Sequence, residues 1–318
     1  MKILITGGAG FIGSVTVAYL LDKGFEVNVL DNLSTGHREL VDQRASFFLG
    51  DILDRYSINA SMDGCDAVVH LAGKAIVSES ILKPSLYLEN NHLGTINILH
   101  AMKELSVGKL VFSSTCAVYG NPITEIITED HPTNPINPYG ESKLLADIEI
   151  GRFSNDNNLN AISLRFFNVG GSYKNSTNNL FGERHDHETH LIPKIIKNKS
   201  IDVYGIDFNS PDGTCVRDYV HVVDIARAIS LALEKQIVLK HEIYNLGSGN
   251  GSSVLEVVSE VEKVIASKII RNNNARNTGD PAYLVANSKL ARLELGWETQ
   301  FTLNEIVRDS FRFIQALI

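Results

Sequence analysis

The sequence predicts an α/β fold, with a doubly wound parallel sheet in the first half and a smaller C-terminal α/β domain. Three observations carry this reading. Short continuous apolar runs alternate with longer stretches of helical spacing, a glycine-rich turn joins the first run to the first helix, and an acid ends the second run about 20 residues further on. Lys2 to Thr6, Glu26 to Leu30, Ser46 to Leu49, Ala67 to Leu71, Lys109 to Ser113 and Ala161 to Phe166 read as strands. Their apolar residues are consecutive rather than alternating, as in strands covered on both faces. Ile12 to Lys23, Ser85 to Leu105 and Glu141 to Phe153 have helical spacing, so the connections are right-handed crossovers between parallel strands. After Asn168 the pattern breaks into a Gly-, Asn- and His-rich stretch, Gly170 to His190, too long for an ordinary connection and read as a functional loop. Later elements are Ile192 to Lys197, a strand at Asp202 to Tyr204, a helix from Val223 to Leu233, and Ser253 to Ser267, where Ser253 and Glu256 have capping-box spacing.

Composition sets outer limits. The 318 residues are 44% hydrophobic and 21% charged, ordinary for one large globular domain or two intimately joined ones. A net charge of −8 with no basic block offers nucleic acid or an anionic membrane nothing to dock on. Cys65, Cys116 and Cys215 lie far apart, and Met1 to Ile5 runs directly into the glycine turn. The expectation is a reduced, cytoplasmic protein without disulfides, signal peptide or transmembrane run.

Thr6-Gly7-Gly8-Ala9-Gly10-Phe11-Ile12-Gly13 follows the first strand and opens the first helix. Gly7, Gly10 and Gly13 let the backbone approach a pyrophosphate at the positive helix N-terminus. Asp31-Asn32, ending the second strand, puts an acid where it can bind an adenosine ribose hydroxyl. A carboxylate there repels a 2′-phosphate, which favours NAD over NADP. A second constellation is Tyr139-Gly140-Glu141-Ser142-Lys143. Tyr139 and Lys143 at i, i+4 share a helix face, so the ammonium can lower the phenol pKa and let a tyrosinate accept a proton from a sugar hydroxyl. Tyr19 and Lys23 have the same spacing but sit behind the phosphate loop, where a solvated pair is expected.

These motifs, with Asp31-Asn32-Leu33-Ser34-Thr35-Gly36, Asp51-Ile52, Ala72-Gly73-Lys74, Ser113-Ser114-Thr115, Leu164 to Asn168 and Val216 to Val222, resemble the extended short-chain dehydrogenase/reductase family. The likeness covers nearly the whole chain and includes Glu188 to Pro193 and Gly279 to Tyr283. It implies a Rossmann-like NAD-binding domain over 1–168, to which 215–247 returns, and a mainly UDP-sugar-binding domain over 169–318. Within the family the chain looks like members that epimerise C4 of a UDP-hexose. Tyr139 would then be the base and acid at O4, Lys143 would bind the nicotinamide ribose and tune Tyr139, and Thr115 would hydrogen-bond the 4-oxygen. Phe11, Ile12, Asp51, Ile52, Leu71, Lys74, Asn90 and Ser113 match further cofactor positions, as do Asn32, Ser34, Gly36, Ala72 and Phe166. Asn168, Leu191, Arg217, Arg276 and Asp280 match positions that hold UDP. The two arginines supply the forked, permanent cations that a diphosphate needs. His190 stands where some relatives have Asn, and Tyr283 matches a gatekeeper of sugar size. The resemblance also implies a homodimer formed by the helices near Ser85 to Leu105 and Tyr139 to Lys143.

The run Ser113 to Tyr119 divides the family by chemistry. Relatives that eliminate water or carbon dioxide carry an acid just after the Ser/Thr; here Cys116 and Ala117 follow Thr115, which favours oxidation and re-reduction. Rivals are 4-epimerisation of UDP-glucuronate or UDP-N-acetylglucosamine and, from another class, an inactive NAD-binding regulator, which would be expected to lack Tyr139 or Lys143. The run His185 to His190 is rich in possible ligands but has no cysteine and no second cluster, so a polar surface is expected and no metal. Gly247 to Gly251 reads as a strand-to-helix turn.

Overall fold

The computed structural model describes residues 1–186, 188–237, 240–276 and 281–317. The chain runs β1 (Lys2–Thr6), α1 (Phe11–Asp22), β2 (Glu26–Asp31), β3 (Ser46–Leu49), α2 (Arg55–Met62), β4 (Ala67–His70), α3 (Val77–Leu82) and α4 (Pro84–Tyr87). A π-helical turn, Leu88–Leu93, leads into α5 (Gly94–Glu104) and β5 (Lys109–Thr115). Then follow β6 (Ile126–Ile127), α6 (Pro138–Asp156), β7 (Asn160–Phe166), β8 (Asn168–Gly170), β9 (Ser172–Lys174), β10 (Leu180–Gly182), α7 (Leu191–Asn198) and β11 (Ser200–Tyr204). The chain closes with β12 (Val216–His221), α8 (Val222–Glu234), β13 (His241–Leu246), β14 (Gly251–Ser253), α9 (Val254–Ile265), β15 (Ile270–Asn274), β16 (Tyr283–Ala286), α10 (Lys289–Glu294) and α11 (Leu303–Ala316).

Among the described residues seven strands form one sheet in the order β3-β2-β1-β4-β5-β7-β13, every neighbouring pair parallel. The continuous apolar runs serve both faces. Ile3, Ile5, Val69 and Val111 pack with α1 and α8, while Leu4, Val68, Leu110 and Phe112 pack with α2, α5 and α6, as side-chain alternation along a strand requires. A second sheet, β14-β12-β16-β6 with β8 beside β12, lies beyond the C-terminal strand ends. Ile192, Ile195, Val257, Val261, Ile306 and Ile314 of α7, α9 and α11 form a separate core next to it.

The predicted strands and helices are present, most with ends moved by one to three residues. The stretch Ser85 to Leu105 is the exception, because it is not one α-helix but α4, a π turn and α5. Its cause is tertiary. The Thr95 hydroxyl donates to the Asn91 carbonyl (2.6 Å), and the Asn91 side chain accepts from Lys74 N (2.8 Å) and donates to Ser142 Oγ (2.9 Å). The wide turn thus aims Asn91 between the Lys74 loop and α6, which carries Tyr139. The stretch Gly170 to His190 is partly built, as the β9-β10 hairpin, and Gly247 to Gly251 is the connection into β14. There Asp218 accepts from Ser248 N (2.7 Å), Gly249 N (2.9 Å) and Ala286 N (3.0 Å).

Candidate active site

A cavity of about 550 Å³ lies along the C-terminal ends of the parallel strands, the usual ligand position in such sheets. The turn after β1 supplies Gly7, Gly10, Phe11, Ile12 and Gly13 to its wall. Gly7 has φ +72°, and a Cβ there would come within 2.6 Å of Ala72 N, so only glycine fits. Gly10 caps α1 without a side-chain acceptor, leaving the first-turn N–H groups to whatever fills the cavity. Asp31, Asn32, Ser34 and Gly36 follow along the wall, as do Ile52, Leu71, Ala72, Lys74, Asn90, Ser113 and Phe166. Asp31 also braces the glycine loop, accepting from Ala9 N (2.9 Å) and Leu33 N (2.8 Å). Asp51 does not reach the wall. Its carboxylate is engaged by the Asn32 side chain (2.7 Å) and Leu53 N (2.9 Å), so it backs Asn32 instead.

Thr115, Tyr139 and Lys143 meet on this wall. Asn137 caps α6 by accepting from Gly140 N (2.8 Å), and Pro138 opens the helix, so Tyr139 lies in the first turn and Lys143 one turn on. The Thr115 hydroxyl bonds Tyr139. Burial pushes the phenol up to about 12 against the lowering effect of that bond. The expected lowering by Lys143 is not what sets this phenol: the ammonium is turned to Ser113 Oγ (3.4 Å) and to the face of Phe112, 4.5 Å from its ring centre. Burial brings Lys143 down to about 8, with Asp147 opposing. By contrast, Tyr19 and Lys23 form a pair on α1, ammonium 5.6 Å from the ring centre.

Asn168, His190, Leu191 and Arg217 line the far part of the cavity. The Arg217 guanidinium is held through Nη1, which donates to the carbonyls of Val216 and Pro281 (both 2.9 Å). Arg276 does not line the cavity. It pairs with Asp207 (2.6 Å) and stacks on Phe208, 4.0 Å from the ring centre. Nor does Tyr283: β16 pairs Val216 with Tyr283 and Arg217 with Leu284, so alternation puts Leu284, not Tyr283, on the wall beside Arg217. Asp280 lies outside the described residues.

Sequence reasoning missed Tyr87, Glu79, Leu284 and Glu183, all on the wall. Tyr87 meets the Tyr139 ring edge-on at 6.4 Å, with its hydroxyl 2.7 Å from the Ile76 carbonyl and 3.1 Å from Glu79. Glu183, 4% exposed, gathers His185 and His190 around it. The reading of this run as open polar surface is therefore corrected: Glu183, His185 and His190 face the cavity. Burial would raise the Glu183 carboxyl, but the two imidazoles outweigh it and hold it near 2. Burial likewise opposes the charged form of His185, yet Glu183 and Glu188 lift it to about 9.

Known proteins are similar to this chain in sequence and fold. The family described as NAD dependent epimerase/dehydratase matches residues 3–247. The chain is 44% identical over 323 residues to the UDP-glucose 4-epimerase of Corynebacterium glutamicum, covering 100% of this chain and 97% of that one. The crystal structure of UDP-glucose 4-epimerase from Brucella ovis in complex with NAD aligns with a TM-score of 0.92 at 39% identity, over 98% of each chain. UDP-glucose 4-epimerase from Bifidobacterium longum in complex with NAD+ and UDP aligns with a TM-score of 0.92 at 34% identity, over 99% of this chain and 98% of that one.

Proposed function

Because the chain belongs to the NAD dependent epimerase/dehydratase family, we propose that it inverts C4 of a UDP-hexose, interconverting UDP-glucose and UDP-galactose with a tightly held NAD. One observation carries the reading. Thr115, Tyr139 and Lys143 meet the glycine loop and Asp31 around a single cavity, while Cys116 and Ala117 line it where eliminating relatives place an acid.

The cradle fits a dinucleotide: Gly7 admits close approach, the α1 N-terminus is uncapped and Asp31 faces the cavity. Gly10 to Gly13, Asp31, Asn32, Lys74, Asn90 and Lys143 would hold it. NAD, when bound, supplies the acceptor and donor of the C4 hydride and a positive charge beside the reacting groups. Tyr139 takes the O4 proton during oxidation and returns it during reduction, so the chain ends each turnover in its starting protonation state. Thr115, bonded to that phenol, orients it and can donate to the 4-oxygen. Lys143 keeps a cation next to Ser113. Arg217 would grip the diphosphate, about which the 4-keto sugar turns to present its other face, and Asn168, His190 and Leu191 would complete the UDP contacts.

The division of labour is part of the proposal: residues 1–168 with 215–247 handle the cofactor, and the rest of 169–318 the UDP-sugar, in the cytoplasm. No helix among the described residues is long and apolar enough to cross a membrane. A homodimer is supported by exposed Leu93 in the π turn and Ile148 on α6, 45% and 42% accessible on the two helical stretches expected to meet. Following UDP-galactose by NMR, with the bound nucleotide released and identified, tests the function. UDP-glucose formation with NAD in the released fraction is the expected result, and absence of conversion by the NAD-loaded enzyme overturns it.

A further inference from the structure

The side chains of Glu183, His185, Glu188 and His190 form a cluster that the proposed reaction does not use as a unit. One ligating atom from each lies within 4.8 Å of the other three. His185 Nδ1 is 3.4 Å from both Glu183 Oε1 and Glu188 Oε1, and His190 Nδ1 is 4.0 Å from Glu188 Oε1 and directly against Glu183 Oε1. A tetrahedral metal with bonds of about 2.0–2.1 Å to nitrogen and oxygen separates its ligands by about 3.3 Å. The two separations at His185 Nδ1 match that value, whereas His190 Nδ1 stands too close to Glu183 Oε1 and 4.0 Å from Glu188 Oε1, so the His190 ring must move away from Glu183 and towards Glu188 to enclose an ion.

The surroundings are those of a built site. Glu183, just after β10, is 4% exposed, and His185 and His190, which pair with it in the cluster, are the groups that would ligate beside it. Glu188 is held from outside the cluster, its Oε2 lying 3.3 Å from Lys197 Nζ and its Oε1 accepting from His190 N (3.1 Å). Ligating carboxylates are ordinarily fixed by such outer bonds. The geometry points to a divalent transition-metal site of the zinc class made by Glu183, His185, Glu188 and His190. Two carboxylates balance a dication, and two imidazoles select zinc or cobalt over calcium and magnesium, which take more oxygens and no imidazole. With four protein ligands the shell is closed, so the ion braces the segment between β10 and α7, along the cavity wall, rather than activating water. This departs from the sequence expectation of no metal, which weighed the run His185 to His190 without the buried Glu183 that completes it.

The test uses tag-free full-length protein, stripped with chelator and titrated with Co2+ and then Zn2+. One equivalent of Co2+ with the intense visible bands of four-coordinate cobalt, displaced by one equivalent of Zn2+, is expected. His185→Ala and Glu188→Gln should each weaken Zn2+ binding at least tenfold while keeping the metal-free circular dichroism of the parent, and His100→Ala, on the exposed side of α5, should bind as the parent does. The parent spectrum alone is decisive if a variant fails to fold. Absence of stoichiometric Co2+ binding at micromolar concentration, a weak six-coordinate spectrum, or unchanged affinity in both folded ligand variants overturns the site.

Discussion

Tyr139 and His70 show what burial does to single ionisable groups. The Tyr139 phenol stays protonated well above neutral pH in the free chain, so turnover depends on charges brought to it by the bound reactants. Tyr139→Phe should lower conversion of UDP-galactose by at least about 10²-fold, the scale of one lost proton acceptor, with bound NAD unchanged on release and quantification. His70 is fully buried inside a hydrogen-bond chain. Thr6 Oγ accepts from Ala72 N (3.2 Å) and lies 2.7 Å from His70 Nδ1, while Nε2 lies 3.1 Å from Thr95 Oγ, whose proton goes to the Asn91 carbonyl. Burial, with Lys143 adding to it, favours the neutral ring and takes its pKa from 6.5 to about 3. The unfolded chain binds a proton below pH 6.5 that the folded chain refuses until about pH 3. Stability from this residue is therefore complete above pH 6.5 and falls by about 1.4 kcal/mol per unit through the window below it. Because His185, with its raised pKa, shifts stability the other way over the same window, the test is a difference: between pH 7.0 and 5.5 in urea unfolding the parent should lose more stability than folded His70→Gln, by about the His70 contribution. A role for Tyr283 in sugar selection, implied by the family resemblance, is a proposal, since its side chain is off the cavity wall. The residue lies between Pro281 and Leu284, both on the wall, so Tyr283→Ser should raise turnover of UDP-N-acetylglucosamine relative to UDP-glucose. An unchanged ratio in the coupled assay removes it from sugar selection.

Elements are tied together by polar groups that local patterning does not announce. Arg165 on β7 reaches Asp147 on α6 (3.4 Å, side chains 4% and 3% exposed) and Tyr119 (2.9 Å), which continues to Asn245 on β13 (2.7 Å). Arg165→Met leaves Asp147 buried without its cation and should cost about 3–5 kcal/mol in urea unfolding, much of it recovered when Asp147→Leu is added. The strands around this network were legible because their apolar runs are too short for a helix and carry β-branched and aromatic residues. The glycine loop, Asp31, and the Tyr139–Lys143 turn were legible because their chemistry is local in sequence. The π turn was not, since Asn91 and Thr95 take their roles from β1, β4 and α6. Glu183 was passed over for the same reason: nothing beside it in the chain shows that β10 buries it. Helix α11 had a readable sign, the capping box of Thr302 and Glu305, identical in spacing to the one recognised at Ser253.

At the scale of the whole molecule, the exposed Leu93 and Ile148 predict association. Light scattering at micromolar concentration should give twice the 35.0 kDa chain mass, and Ile148→Glu should shift it towards one chain, because a charge at a two-fold contact meets its own copy. The order of the large sheet has a different consequence, for biosynthesis. Strand β7 is flanked by β5 on one side and by β13 on the other, and β13 is not translated until some 75 residues after β7 ends. During that interval a ribosome-bound chain carries the complete glycine loop and most of its sheet, and β7 lacks the partner that pairs with it in the folded chain. Such an edge pairs with whatever strand is offered. Messages truncated within that interval should therefore yield more aggregate than products extended through Leu246, in which β13 covers β7 as it does in the folded chain.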